Sequence, residues 1–212
     1  MSLYDLLAGE APAPALVHGV VIAVVTNTED PEGMGRVRLR FPWLNDEDES
    51  NWARVLAPSA GKGRGVFFMP EVEDEVLVAF EHGDVRFPFV LGGLWSSKEG
   101  LPAPNDDGKN NLRVIRSRSG HVVRLNDEDG KESIEIVDAK GKNKLVFDTA
   151  KGTVTITADK DITLSAPGGT LRLEGQTVEI ESSASAKVTA GAGMDLKAAA
   201  TLNVKGATVN IN

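Results

Sequence analysis

Residues 153–173 read TVTITADKDITLSAPGGTLRL and open a repeat that continues to Asn212. Apolar residues two positions apart recur along it, and the first members of successive pairs are 8, 9, 7, 8, 8, 8 and 7 residues apart. Residues at i and i+2 point to the same side of an extended strand. Each unit, here called an octad, therefore predicts a very short strand with one apolar face, followed by a turn. The pairs are Val154/Ile156, Ile162/Leu164, Leu171/Leu173, Val178/Ile180, Ala186/Val188, Met194/Leu196, Leu202/Val204 and Val209/Ile211.

A single octad is too small to be stable alone. Two buried aliphatic side chains contribute roughly 3–6 kcal/mol, whereas fixing eight residues costs on the order of 8–16 kcal/mol in backbone entropy. Both edges of each strand therefore need hydrogen-bonded neighbours. A single-chain β-helix of three octads per turn would have fewer than three turns and no capping helix, which is marginal for a solenoid. Three intertwined chains would give every strand its partners, and the repeat alone leaves both arrangements open.

In the intertwined arrangement, the apolar pairs form the core of a trimeric β-helix needle. The residues predicted for this trimer core are Val154, Ile156, Ile162, Leu164, Leu171, Leu173, Val178, Ile180, Val188, Leu196, Leu202 and Val204. Such a stack would be stiff, which favours a mechanical role over a catalytic one.

Composition changes near residue 150. Residues 1–150 carry 17 Lys/Arg and 25 Asp/Glu, residues 151–212 carry 6 of each class, and all eleven aromatic residues precede residue 151. The net charge of −8 argues against a nucleic-acid partner, which would require a basic stripe. The sequence has no cysteine, which excludes disulfides and thiolate metal sites. No signal peptide is recognisable, so we expect a soluble protein made in the cytoplasm unless an unconventional route exports it.

The pattern predicts five segments. Residues 1–15 form a docking segment with Leu3, Leu6 and Leu7 in a short helix, although a frayed terminus is the alternative. Residues 16–95 predict an all-β collar, most simply an OB-fold barrel. Residues 96–111 read as a linker, 112–150 as a β-hairpin neck and 151–212 as the octad needle. The candidate strands of the collar are His18–Val25, Gly35–Trp43, Asn51–Ala57, Gly65–Met69, Glu75–Glu81 and Phe87–Leu91.

Few side chains offer catalytic or metal-binding chemistry. His82-Gly83-Asp84 could be a base with its orienting carboxylate but is better explained as a turn, and residues 61–65 lack the strand–helix context of a phosphate loop. The acidic runs 45–50 and 126–130 do not match an EF-hand and predict solvated loops. Arg36, Arg38 and Arg40 form a ladder that should pair with acidic neighbours rather than bind nucleic acid. We therefore predict no catalytic residues, no metal and no cofactor.

Three stretches of the sequence resemble one family of proteins. They are Gly35–Trp43 with Ser50–Val55, Pro70–Phe80 with Gly83–Asp84 and Pro88–Gly92, and Arg116–His121 with Gly130–Glu132 and Lys144–Asp148. In order and spacing they resemble the spike proteins of contractile injection systems, which include phage baseplate assembly protein V and the C-terminal half of the type VI secretion VgrG spike. The resemblance implies an OB-fold collar and a trimeric β-helix needle at the centre of a baseplate. A contracting sheath would drive this needle through a target envelope, so contact with the target membrane would be transient.

Departures from the family pattern shape the expected partners. VgrG proteins carry a large hub domain before the OB-fold, and here only 15 residues precede it, so we expect a separate hub protein docked on residues 1–15 and the collar. Some phage spikes hold an iron in a terminal His-x-His motif, but no histidine follows His121. Tip iron is therefore not expected, and Val209, Ile211 and Asn212 should bind a separate PAAR-type tip protein.

Two other functions compete with the spike. The OB barrel could be an oligosaccharide- or nucleic-acid-binding module that a β-helical stalk merely trimerises. A hydrolase acting on the β-helix face would need carboxylates such as Asp159 or Glu179, but the acidic residues of the tail are scattered and the tail has no histidine.

Overall fold

The first sheet is built by strands whose side chains alternate between core and surface. In β2 (Arg36–Phe41) and β7 (Glu75–Phe80) every second residue is buried, and each of the other residues is partly exposed. The computed structural model that shows this describes residues 16–96 and 100–210. The buried core is aliphatic and aromatic, as period-2 patterning requires. Its members are Ala23, Val25, Val37, Leu39, Phe41, Ala53, Val76, Val78, Phe80 and Val90.

These strands close into a five-stranded barrel. The hydrogen-bonded order is β1–β7–β8–β4–β2, and β2 pairs back to β1, while β3 extends the sheet beside β2. The β4–β8 pair is parallel and the others are antiparallel. The predicted all-β barrel of the collar is thereby confirmed and is consistent with an OB fold. The remaining strand bounds are β1 (Val20–Asn27), β3 (Asn45–Glu49), β4 (Ala53–Val55) and β8 (Pro88–Gly93).

Two parts of the collar differ from the sequence-based expectation. The predicted strand Gly65–Met69 is wrong: only the short hairpin of β5 (Ala60–Gly61) and β6 (Arg64–Gly65) forms there, and residues 66–69 are irregular. The acidic run expected to be a loop contains strand β3, which pairs with β2 after the tight turn that follows Phe41. Acidic residues are poor strand formers, so it is pairing with the neighbouring strand that makes this segment extended.

The second sheet is a five-stranded antiparallel meander that covers the segment predicted as the neck and extends beyond its predicted end at residue 150. Its order is β13–β12–β11–β10–β9, so every strand pairs with its neighbour in sequence. The predicted turns at residues 126–130 and 138–141 connect β10 to β11 and β11 to β12. The last strand lies beyond residue 151, so the first octad pair is part of this sheet. The strands are β9 (Leu112–Arg116), β10 (Val122–Asn126), β11 (Ser133–Val137), β12 (Lys144–Asp148) and β13 (Thr153–Thr157).

Residues 160–212 form a separate unit, described as far as residue 210. Within residues 160–210 the single chain forms no helix and no strand, and its backbone is interrupted by bends or turns. These lie at residues 159–160, 167–169, 176, 183–184, 191–192, 199–200 and 207–208. The bends therefore recur with the spacing of the apolar pairs. A strand needs a hydrogen-bonded neighbour, and residues 160–210 form no strand pair with one another in the single chain, so the octad β-helix stays a prediction.

Candidate assembly surfaces

The second sheet has one strongly apolar face, here called the apolar sheet face. Its register aligns apolar side chains across all five strands, because residues directly opposite in a ladder point the same way. One row contains Ile115, Val123, Ile136, Leu145 and Ile156, and the other contains Leu125, Ile134, Phe147 and Val154 and ends at Arg113 on β9. The exposed members of these rows range from 40% for Phe147 to 61% for Val154. Seven of these nine apolar side chains are thus exposed in the single chain.

The opposite face of the same sheet is mixed, because the partly buried Val114, Val122, Val137 and Val146 lie on it beside charged and hydroxyl side chains. Arg124 forms an ion pair with Glu135 on the neighbouring strand, and Thr153, Thr155 and Thr157 project from β13 on this side. Antiparallel sheets commonly bury one face and solvate the other. A contiguous uncovered apolar face of this size marks an interaction surface. Its continuity across five strands becomes visible only with the register, because the sequence alone shows separate apolar pairs.

The octad pairs continue this apolar character into the tail. Val154 and Ile156 lie on β13 at the edge of the apolar sheet face, and every later pair belongs to residues 160–212. All predicted core residues beyond β13 are exposed in the single chain, from 54% for Ile162 to 81% for Ile180. This group consists of Ile162, Leu164, Leu171, Leu173, Val178, Ile180, Val188, Leu196, Leu202 and Val204. The chain thus carries a long series of apolar side chains that it does not itself bury.

The two predicted docking ends are only partly visible. Val209 is 48% exposed, whereas Ile211 and Asn212 lie outside the described residues. Leu3, Leu6 and Leu7 also lie outside them. The described chain starts beside the β7–β8 turn, where the Val17 amide donates a hydrogen bond of 2.8 Å to the Gly83 carbonyl.

The arginine ladder of β2 is largely neutralised by acidic residues of the same chain. Arg36 pairs with Asp30 at 2.7 Å and Arg38 with Glu49 at 3.0 Å. Both guanidinium groups lie within 6 Å of the Trp52 ring centroid, at 5.8 and 5.1 Å. The expectation of acidic partners is confirmed for these two arginines. Such a surface has little net positive charge to offer a nucleic-acid backbone.

The other candidate chemical sites prove to be turns. His82 has a left-handed backbone with φ 51°, and Asp84 binds Arg86 rather than orienting His82. Residues 60–65 form a hairpin instead of a loop before a helix. In the 126–130 turn, the Asp127 carboxylate pairs with Arg113. Among residues 16–96 and 100–210, no three His, Asp or Glu side chains gather as a metal site would require.

Two aspartates of the collar are held ionised by arginine. The Arg36 side chain donates hydrogen bonds to Asp30 and lowers the pKa of that carboxyl, and three backbone amides add to the effect. The Arg86 side chain likewise lowers the pKa of Asp84 to about 2. Since the folded pKa values lie below the unfolded ones, both groups stabilise the fold fully above about pH 4, near the unfolded pKa of aspartate.

We therefore predict that the collar loses stability as the pH falls from about 4 towards 2. In this range Asp30 and Asp84 become protonated in the unfolded chain but stay ionised in the folded one, so protonation favours unfolding. Urea unfolding at pH 7, 4 and 3, followed by tryptophan fluorescence, would measure the decline. Asp84→Asn removes one of the two carboxylates and should make the pH dependence shallower. A variant with the same pH dependence as the unaltered protein would contradict the role given to Asp84.

No helix among the described residues has the length and hydrophobicity needed to cross a bilayer.

Residues 21–95 match the family model described as the type VI secretion system/phage-baseplate injector OB domain. The type VI secretion system spike protein VgrG1a of Pseudomonas aeruginosa is 28% identical over 156 residues, or 66% of this chain and 24% of that protein. VgrG4b of the same organism is 32% identical over 146 residues, or 64% and 17%. The actin cross-linking toxin VgrG1 of Vibrio cholerae is 31% identical over 142 residues, or 61% and 13%.

The chain thus spans a quarter or less of the length of these curated relatives. The matched family model falls on the closed barrel, with its first residue in β1 and its last just beyond β8. The alignments with the relatives extend well beyond the length of the barrel. Residues 21–95 are therefore similar to the injector OB domain, and the predicted resemblance to the contractile injection system spike family is confirmed.

Proposed function

We propose that this chain is the central, non-enzymatic spike of a contractile injection machine, in which three copies form a needle that pierces the target envelope. The observation that carries the proposal is the apolar series that runs along the sequence from the apolar sheet face through the octad pairs, most of whose described members are exposed in the single chain. Leaving so many aliphatic side chains in water is unfavourable by roughly 25 cal/mol per Å² of apolar surface. Some partner must cover them.

A second and a third copy of the same chain are the partners that fit best. A repeat of period eight on one chain matches the same repeat on another at every layer, so identical strands can pair along the whole length. Three apolar sheet faces turned inwards would continue into three strands per octad layer. The trimer core would then begin in the second sheet rather than at residue 151. Continuous inter-chain hydrogen bonds and a dry aliphatic core would make the needle stiff enough to transmit axial force.

The two ends of the trimer would join other baseplate components. Leu3, Leu6 and Leu7 would dock on a separate hub protein. Val209, Ile211 and Asn212 would present the last layer to a PAAR-type tip protein. The spike would be made in the cytoplasm, assembled into the baseplate and ejected when the sheath contracts, crossing the target membrane only in passing. The role would be mechanical, without cofactor.

The oligomeric state tests this proposal directly. Light scattering of the full-length chain at micromolar concentration should give the mass of three copies, since one copy is 22.5 kDa. The trimer should also persist on an SDS gel when the sample is not boiled, because detergent cannot reach a core closed by inter-chain hydrogen bonds. A monomeric mass with an intact barrel would overturn the proposal.

A further inference from the structure

One side of the barrel is unusually apolar on its outside. The outward residues of β2 are arginines, whereas those of β1, β7 and β8 are mostly aliphatic or aromatic. Val20 and Ile22 are 55% and 52% exposed. Barrel and sheet surfaces that face water normally carry polar side chains at such positions. We call this surface the barrel side face; its residues are Val20, Ile22, Leu77, Ala79, Phe89 and Leu91.

The register joins these residues into one patch. Val20 lies opposite Ala79, and Ala79 lies opposite Phe89. Ile22 lies opposite Leu77, which pairs with Gly92 where a bulge displaces Leu91. The inward residues between them form the buried core, so the patch cannot turn inwards without destroying the barrel. Phe89 is partly covered by the Arg54 guanidinium, 5.9 Å from its ring centroid, so the part of the barrel side face that lacks a cover is Val20, Ile22 and Leu91.

A second, differently shaped apolar surface borders the first, since its Leu56, Phe67 and Phe68 line one groove together with Leu91. Residues 56–68, here called the aromatic loop, expose Leu56 by 64%, Phe67 by 80% and Phe68 by 68%. The loop is held in place, because the Val66 amide donates a 2.9 Å hydrogen bond to the Ser59 carbonyl. At Gly65, with φ 145°, an added Cβ would lie 2.4 Å from the Ser59 oxygen, so glycine is required for this close approach. The aromatic side chains are thus presented outwards by a fixed backbone.

We propose that, in the trimer, the aromatic loop of one copy covers the barrel side face of the next copy. The inference rests on the proposed function, which brings three barrels together. A closed threefold ring requires two different, complementary surfaces on each copy, and this chain has one flat and one projecting apolar surface. Tethering by the needle would hold the two surfaces together at a high effective concentration.

Single cysteines introduced into the full-length chain test this contact, because the natural sequence has none. Ile22→Cys places a thiol on the barrel side face, and Val72→Cys is the matched control, with 52% and 48% exposure in the single chain. If a neighbour covers Ile22, its cysteine should react with a maleimide at least about tenfold more slowly than the cysteine at position 72. Equal rates in a protein of trimeric mass would overturn the collar contact and leave the proposed function standing. A monomeric mass would overturn both.

A second variant identifies what covers the face. Adding Phe67→Asp to Ile22→Cys should raise the labelling rate to that of the control, and the exposed position of Phe67 makes this change harmless to the barrel itself. A short bis-maleimide should join Ile22→Cys and Phe67→Cys of the doubly substituted chain into covalent dimers and trimers on a denaturing gel. Protection that survives Phe67→Asp, or cross-links confined to single chains, would show that another segment or partner covers the face, and would overturn the inference.

Discussion

Leu164→Asp is expected to abolish the SDS-resistant trimer of the full-length chain. In the proposed needle, Leu164 of three copies meets in one layer, so the substitution removes roughly 2 kcal/mol of apolar burial per copy. It also brings three carboxylates together in a dry core, where each costs several kcal/mol more. The layer cannot close, and the strands above and below it lose their continuous pairing. Unboiled gel migration and light scattering would both report monomers or a heterogeneous assembly.

The neighbouring residue gives the matched control. Thr163 lies between Ile162 and Leu164, so it points to the other side of an extended strand. Thr163→Asp adds the same charge one position away, on the solvent side, and should leave the trimer intact, because surface substitutions usually change stability by about 0.5 kcal/mol or less. If both variants remained trimeric, Leu164 would not be a core residue. If both became monomeric, charge rather than burial would be the cause.

The barrel was predictable from the sequence wherever alternation was strict. β2 and β7 place three apolar residues at every second position, and both strands are confirmed within two residues of their ends. Strand β3 was missed because its residues have low strand propensity, and only its pairing with β2 makes it a strand. The wrong strand at Gly65–Met69 has the opposite cause. Its apolar residues suggested burial, but Phe67 and Phe68 are on the surface.

The candidate assembly surfaces were predictable only in part. The octad pairs are visible in the sequence because their spacing is regular. The apolar sheet face is less visible, since its members come from five strands and align only through their register. Ile115, for example, can be assigned to this face only once β9 is known to pair with β10 and to place Ile115 opposite Val123. The barrel side face could not be found at all, because a run such as Val20–Val25 predicts a buried strand without saying which outer face lacks a cover.

Ile136→Asp is expected to destabilise the full-length protein strongly. The size of this effect distinguishes an apolar sheet face that other copies cover from one that faces solvent. Ile136 is 50% exposed in the single chain and lies between Val123 and Leu145 in the row that runs from Ile115 to Ile156. On a solvated face, an aspartate there would cost about 1 kcal/mol or less. In a trimer with the three faces turned inwards, it would bury one carboxylate per copy among aliphatic side chains, at several kcal/mol each.

Thr155→Asp is the control for this substitution, because Thr155 lies on the same sheet but projects from its opposite face. Thermal unfolding by circular dichroism should give a much lower midpoint for Ile136→Asp than for Thr155→Asp, whose midpoint should stay near that of the unaltered protein. Equal midpoints would mean that the apolar sheet face is solvated in the trimer and that the trimer core starts only at the octads. A midpoint lowered only by Ile136→Asp would place the start of the needle in the second sheet. The three chains would then pack face to face in this sheet and pair strand to strand in the octads that follow.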